Sequence, residues 1–99
     1  MRIAVTSVEE VGAAIRAMRK VSGIRQDDVP SVSHMFLRDL EKGKETVQFG
    51  LVLKVLDELG IRMVLEVQES HGHAVAMAMD HLLPKDRMAR TRTSKKDGE

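Results

Sequence analysis

Three glycines, Gly23, Gly43 and Gly60, each follow an apolar stripe of helical period, and this punctuation divides the stretch up to Gly60 into short helices. Ser7 and Glu10 form an S-x-x-E capping box, in which hydroxyl and carboxylate satisfy orphan amide donors, so a helix is expected to start there. Val8, Val11, Ile15 and Met18, with Ala14, then share one face up to Gly23. Ile24 to Val29 leaves room for one helical turn, and Pro30 biases Val29 away from helical angles. Ser33 is placed to cap a helix with Phe36, Leu37 and Leu40 on its apolar side, ending at Lys42 and Gly43. His34, Arg38 and Glu41 are expected on the opposite, outer face. Thr46 is the expected cap of the next helix, where Phe49, Val52, Leu53, Leu56 and Leu59 form the stripe; Phe49, Leu53 and Leu56 are read as core.

Beyond Gly60 the period changes. Ile61, Met63, Leu65 and Val67 alternate with Arg62, Val64, Glu66 and Gln68, the period of a half-buried strand. Met1 to Thr6 alternates in the same way over a shorter run. Two short strands in a chain this small leave unpaired edges, so pairing across a twofold axis, which would bury Met63 and Leu65, is expected. Ala74 to Leu83 reads as a short helix stopped by Pro84, and Lys85 to Glu99 as a polar tail. The expected organisation is residues 1–69 as one domain and 70–99 as a flexible segment with a helix at 74–83. The fold class is mainly α, with four to five helices and a short C-terminal strand, the N-terminal run being a second candidate, in an intersubunit sheet.

Composition limits the function classes. Ninety-nine residues make one modest core, burying about 60 to 65 per cent of the unfolded surface. The only aromatics are Phe36 and Phe49, leaving Leu, Val, Ile and seven Met to pack it. The chain has no cysteine, hence no disulfide framework and no thiolate metal site. No apolar run approaches the roughly 20 residues that span a bilayer, and no secretory signal pattern opens the chain, so an intracellular protein is expected. The net charge of +1 conceals an uneven distribution. Residues 1–84 carry ten Lys and Arg against twelve Asp and Glu, and residues 85–99 six against three. A nucleic-acid footprint must therefore be a local patch.

Helix, short helix, tight bend and a helix with a polar outer face is the layout of a helix-turn-helix, whose second helix enters the major groove. Gly23, Ile24, Arg25 and Gln26, then Val32, Ser33, Phe36, Leu37, Asp39, Leu40, Glu41, Gly43 and Lys44, then Thr46, Val47, Gln48 and Val52 to Gly60, carry a resemblance to a known family. Over Val8 to Val67 the chain resembles the phage-repressor-like (XRE/Cro) helix-turn-helix family, and within it the HipB-type antitoxins. The resemblance implies a homodimeric repressor that binds a palindromic operator, autoregulates its operon in the bacterial cytoplasm and holds a HipA-like serine/threonine kinase toxin. It implies DNA contacts at Gln26, Ser33, His34, Met35 and Arg38, with Lys42, Lys44 and Thr46 on phosphates, and dimerisation through Ile61, Met63, Leu65 and Val67. The chemistry suits these places: an amide can bond a phosphate, the Arg38 fork can reach guanine O6 and N7, His34 can donate to a guanine acceptor, and Met35 can touch a thymine methyl. The chain departs from the family in having about three residues fewer between Val29 and Val32, with Pro30 in the turn, and in carrying Arg25 where a capping Thr or Ser is common.

Other constellations favour ordinary roles. Asp27 and Asp28 suit the positive end of a helix dipole rather than acid and base catalysis. His71, Gly72 and His73, with Asp80 and His81, read as a plain linker rather than as a metal site. Met77, Met79 and Met88 fit a partner groove or a plain surface, and Lys85 to Lys96 a contact or a solubilising end. No nucleophile with an oriented base and no phosphate-binding loop is present, so neither enzyme activity nor a cofactor is expected. Two alternatives stand beside the antitoxin: an interaction or inhibitor module whose helix-turn-helix no longer reads DNA, and a phage-type repressor without a toxin.

Overall fold

The computed structural model describes residues 1–84, which fall into two units, Met1–Val64 and residues 65–84. The first unit holds helices α1 (Val8–Val21), α2 (His34–Glu41) and α3 (Phe49–Glu58), with a single 3-10 turn at Gln26–Asp28 between the first two. The second holds α4 (Glu69–Leu82). The expectations for Met88 and for Lys85 to Glu99 lie outside the described residues.

The capping signals act largely as their chemistry dictates. Ser7 is extended, and its Oγ accepts the Glu10 N–H at 3.1 Å. The Glu10 carboxylate reaches back to the Thr6 N–H at 2.6 Å and the Thr6 hydroxyl at 2.9 Å. These bonds, the Thr6 amide first, hold the Glu10 carboxyl below its ordinary pKa. Ser33 caps α2 by accepting the Phe36 N–H at 3.0 Å. At the C-termini the chain turns through paired 5→2 and 6→1 bonds: Gly43 N–H to Leu40 O and Lys44 N–H to Asp39 O, both 3.0 Å. Gly23 and Gly60 repeat the pattern. Gly43 has φ +87°, and a Cβ there would stand 2.8 Å from the Glu9 Cα, so neither the conformation nor the space admits a side chain.

The core comprises Ile15 of α1, Val29, Leu37 and Leu40 of α2, and Val52, Val55, Leu56 with Leu59 at the end of α3. Each such side chain contributes about 1.5–3 kcal/mol by leaving water. Val8, Val11, Ile24, Val32, Phe36, Val47 and Ile61 pack around it. At Gly12 the α1 backbone lies directly against the Leu40 carbonyl and Glu41, which brings α1 and α2 unusually close. Val29 is extended, φ −101° and ψ 99°, as Pro30 requires, and is itself buried.

Several expectations are corrected. Thr46 does not cap α3; it lies exposed in a turn, and the helix starts at Phe49 behind Gln48, which makes no side-chain cap bond. Phe49 and Leu53 are not core, being 59% and 41% exposed. The buried arc of α3 is turned toward Val55, which leaves both on its flank, and Met18 of α1 likewise stays partly in solvent at 39% exposure. Glu41 is not on the outer face of α2 but buried. The helix expected at 74–83 begins at Glu69 and runs through His71, Gly72 and His73, so that segment is helical, not a linker. No residue of α4 is buried. Among the described residues no strand forms, at Met1–Thr6 or after Gly60. Alternation prepares two faces, but a strand exists only when a neighbour completes its ladder.

Candidate nucleic-acid interface

The site is built where α1 and α2 approach each other. Arg19 of α1 and Glu41 of α2 form a two-pronged ion pair, Nε to Oε2 at 2.7 Å and Nη2 to Oε1 at 2.8 Å, with side chains only 9% and 3% exposed. The third arm of the guanidinium, Nη1, donates to the Ile24 carbonyl at 3.0 Å. Burial pushes the Glu41 carboxyl up, but the hydrogen bonds from Arg19 and Gln26 and the charges of Arg19 and Arg16 outweigh it and hold the group below its ordinary pKa. The Glu41 hydrogen bond raises that of Arg19 against the cost of burial.

From this pair a chain of hydrogen bonds runs outward. Gln26, first residue of the 3-10 turn, donates Nε2–H to Glu41 Oε1 at 3.0 Å, and its Oε1 lies 2.9 Å from His34 Nε2. His34 is the first residue of α2. Its imidazole is thus held at the surface by a link that ends on a buried charge. Gln26 is thus committed at both ends of its amide as a brace, and it keeps a second N–H and a second lone pair for a further partner.

Around the chain opens a groove of about 530 Å³ lined by Arg16, Arg19 and Lys20 of α1, Arg25, Gln26 and Asp27 of the turn, and His34, Arg38, Glu41 and Lys42 at α2. Glu41 is already matched by Arg19, and Asp27 bonds Arg25 at 3.1 Å. Arg16, Lys20, Arg38 and Lys42 therefore leave the groove cationic in a chain whose described part carries more acids than bases.

Of the eight expected DNA-contacting residues, the groove gathers Gln26, His34, Arg38 and Lys42. Ser33, Met35, Lys44 and Thr46 lie outside its lining. Ser33 uses its oxygen as an acceptor at the cap and keeps its O–H as a donor. Met35 is exposed, and Lys44 sits 3.5 Å from Asp39, which matches part of its charge. Sequence reasoning missed Arg16, Lys20 and Arg25. Arg16 and Lys20, at i and i+4 beside the apolar stripe of α1, were a visible basic pair. Of the expected dimerisation residues, Ile61 is half-buried against its own core, whereas Met63, Leu65 and Val67 are exposed. No cluster of metal-ligating side chains occurs among the described residues, and no helix there is long and apolar enough to cross a membrane.

A short helix braced from behind through its first residue, with a polar side opening on a cationic groove, is consistent with the layout of a helix-turn-helix domain. The chain is 46% identical over 54 residues, covering 52% of its own length and 71% of the relative's, to the "Uncharacterized HTH-type transcriptional regulator y4mF" of Sinorhizobium fredii (strain NBRC 101917 / NGR234). The protein belongs to the helix-turn-helix transcriptional regulators and is a DNA-binding regulator. No family model matches the chain.

Proposed function

We propose that the protein is a sequence-specific repressor that acts by binding rather than by catalysis, with α2 in the major groove. The observation that carries this is the placement of His34 and Arg38 on the outer side of α2 inside the cationic groove. Arg38 supplies a guanine-matching fork, while Arg16, Lys20 and Lys42 supply phosphate contacts. Two protomers related by a twofold axis would set their α2 helices about 34 Å apart, in successive major grooves of a palindromic operator. Met63, Leu65 and Val67, exposed on a segment that forms no strand among the described residues, support pairing of that segment between protomers.

The narrower reading is an antitoxin that represses its own operon in the bacterial cytoplasm, on the nucleoid, and holds a HipA-like kinase. The resemblance of Phe36 to Gly60 supports it, and α4 offers a surface, since Val75, Met77, Met79 and Leu82 are exposed and nothing on that helix is buried. A kinase-like gene beside this one separates the antitoxin from a solitary repressor.

Gel-shift titration on the DNA upstream of the gene tests the reading. Arg38→Ala is expected to lose discrimination between that DNA and random duplex by about 5-fold or more, whereas Lys42→Ala weakens binding to both alike and lowers the salt slope by about one. Equal affinity of the unmodified protein for both DNAs at every salt concentration contradicts sequence-specific repression.

A further inference from the structure

We propose that the free ring edge of His34 determines base specificity and that protonation switches it, so that the neutral ring selects a base offering an amino donor and the imidazolium selects guanine.

The argument begins at Glu41. A carboxylate held by Arg19 only accepts, so Gln26 must face Glu41 with its amino group, at 3.0 Å. The Gln26 carbonyl then faces His34, and since it too only accepts, the proton between them belongs to His34 Nε2, at 2.9 Å. The buried ion pair therefore sets the tautomer of an exposed ring. Nδ1 is left with no protein partner among the described residues. In the neutral ring it is a lone-pair acceptor, suited to adenine N6 or cytosine N4 amino groups in the major groove. Once protonated, it becomes a donor suited to guanine O6 or N7, and the bond to Gln26 is undisturbed because Nε2 donates in both forms.

The charges facing His34 come from each element packed around it. Arg16 and Lys20 of α1, Arg38 and Lys42 at α2, and Arg25 of the turn bring positive charge to the groove that His34 lines, and Asp27 brings a negative one. The Arg19–Glu41 pair is internally matched. DNA phosphates entering the groove would be matched by those cations. His71, His73 and His81 lie on α4 and are all retained in a His34 variant.

The inference rests on the reading of α2 as a DNA-recognition helix, and two measurements keep the two apart. In the free, full-length protein, nitrogen NMR of the His34 ring at neutral pH is expected to show the proton on Nε2 and a bare Nδ1; a ring protonated on Nδ1 alone overturns the inference and leaves DNA recognition standing. In selections from random-sequence duplexes near the ends of the range of about pH 5 to 8 in which histidine titrates, one position should shift from adenine or cytosine toward guanine as pH falls, by about 5-fold or more. His34→Gln, which preserves a donor to Gln26 but cannot titrate, should show no shift. A motif that is the same at both ends, or a shift that persists in His34→Gln, overturns the inference alone. Failure to enrich any motif overturns it together with the DNA reading.

Discussion

Glu41 is the residue on which most depends. Its carboxylate neutralises Arg19, anchors Gln26 and through it fixes His34, so one side chain links the packing of α1 on α2 to the presentation of the recognition surface. Truncation to Ala strands a buried guanidinium and is expected to cost about 3–5 kcal/mol in denaturant unfolding. The pH dependence follows from the direction of the shift. A carboxyl whose folded pKa is depressed adds stability above its unfolded value of about 4.3 and loses it as pH falls through the lower, folded value. Acid unfolding of Glu41→Gln is therefore expected to depend less on pH below about 4.3 than that of the unmodified protein. Identical acid limbs would remove Glu41 from this role. The sequence hid it for a definite reason: His34, Arg38 and Glu41 form one polar stripe, but the last turn of that stripe is drawn inward where Gly12 admits the α1 backbone, and its partner lies 22 positions away.

At the scale of elements, the legible parts were those whose signals are local. Ser7, Ser33 and the glycines that end helices act within a few residues, and α1, α2 and α3 lie where they put them to within a turn. What failed needed knowledge of neighbours. The α3 stripe was read as Phe49, Val52, Leu53, Leu56 and Leu59; Val52, Leu56 and Leu59 are buried, but only packing decides which edge of a broad apolar arc faces inward, and Val55 lies there in place of Phe49 and Leu53. Alternation after Gly60 marks a chain able to pair, without supplying the pair. Among elements, the α1–α2 contact is the most demanding, because at Gly12 any side chain would overlap the Leu40 carbonyl, which is backbone and cannot swing away. Gly12→Ala is thus expected to destabilise the fold by about 1–3 kcal/mol in thermal or denaturant unfolding, although alanine raises helix propensity. A gain in stability would mean that the helices are farther apart than described.

For the molecule as a whole, charge and surface tell different stories in different places. Residues 1–84 are slightly acidic in sum, yet the groove beside α2 is cationic because its acids are committed to partners, a separation no charge count reveals. Met63, Val64, Leu65 and Val67 are exposed, and their segment forms no strand among the described residues. If it joins two protomers, Leu65→Asp is expected to shift the protein from dimer to monomer in analytical ultracentrifugation and to weaken binding to a two-half-site duplex more than to a single half-site. An unchanged sedimentation coefficient contradicts that arrangement. The most direct test of the central claim is a map of backbone amide shifts as the full chain is titrated with the duplex upstream of its gene. Perturbations are expected to concentrate at Arg16, Lys20, Gln26, His34, Arg38 and Lys42; a map that leaves α2 silent while α4 or the α3 flank at Phe49 and Leu53 responds would contradict recognition of DNA by that helix.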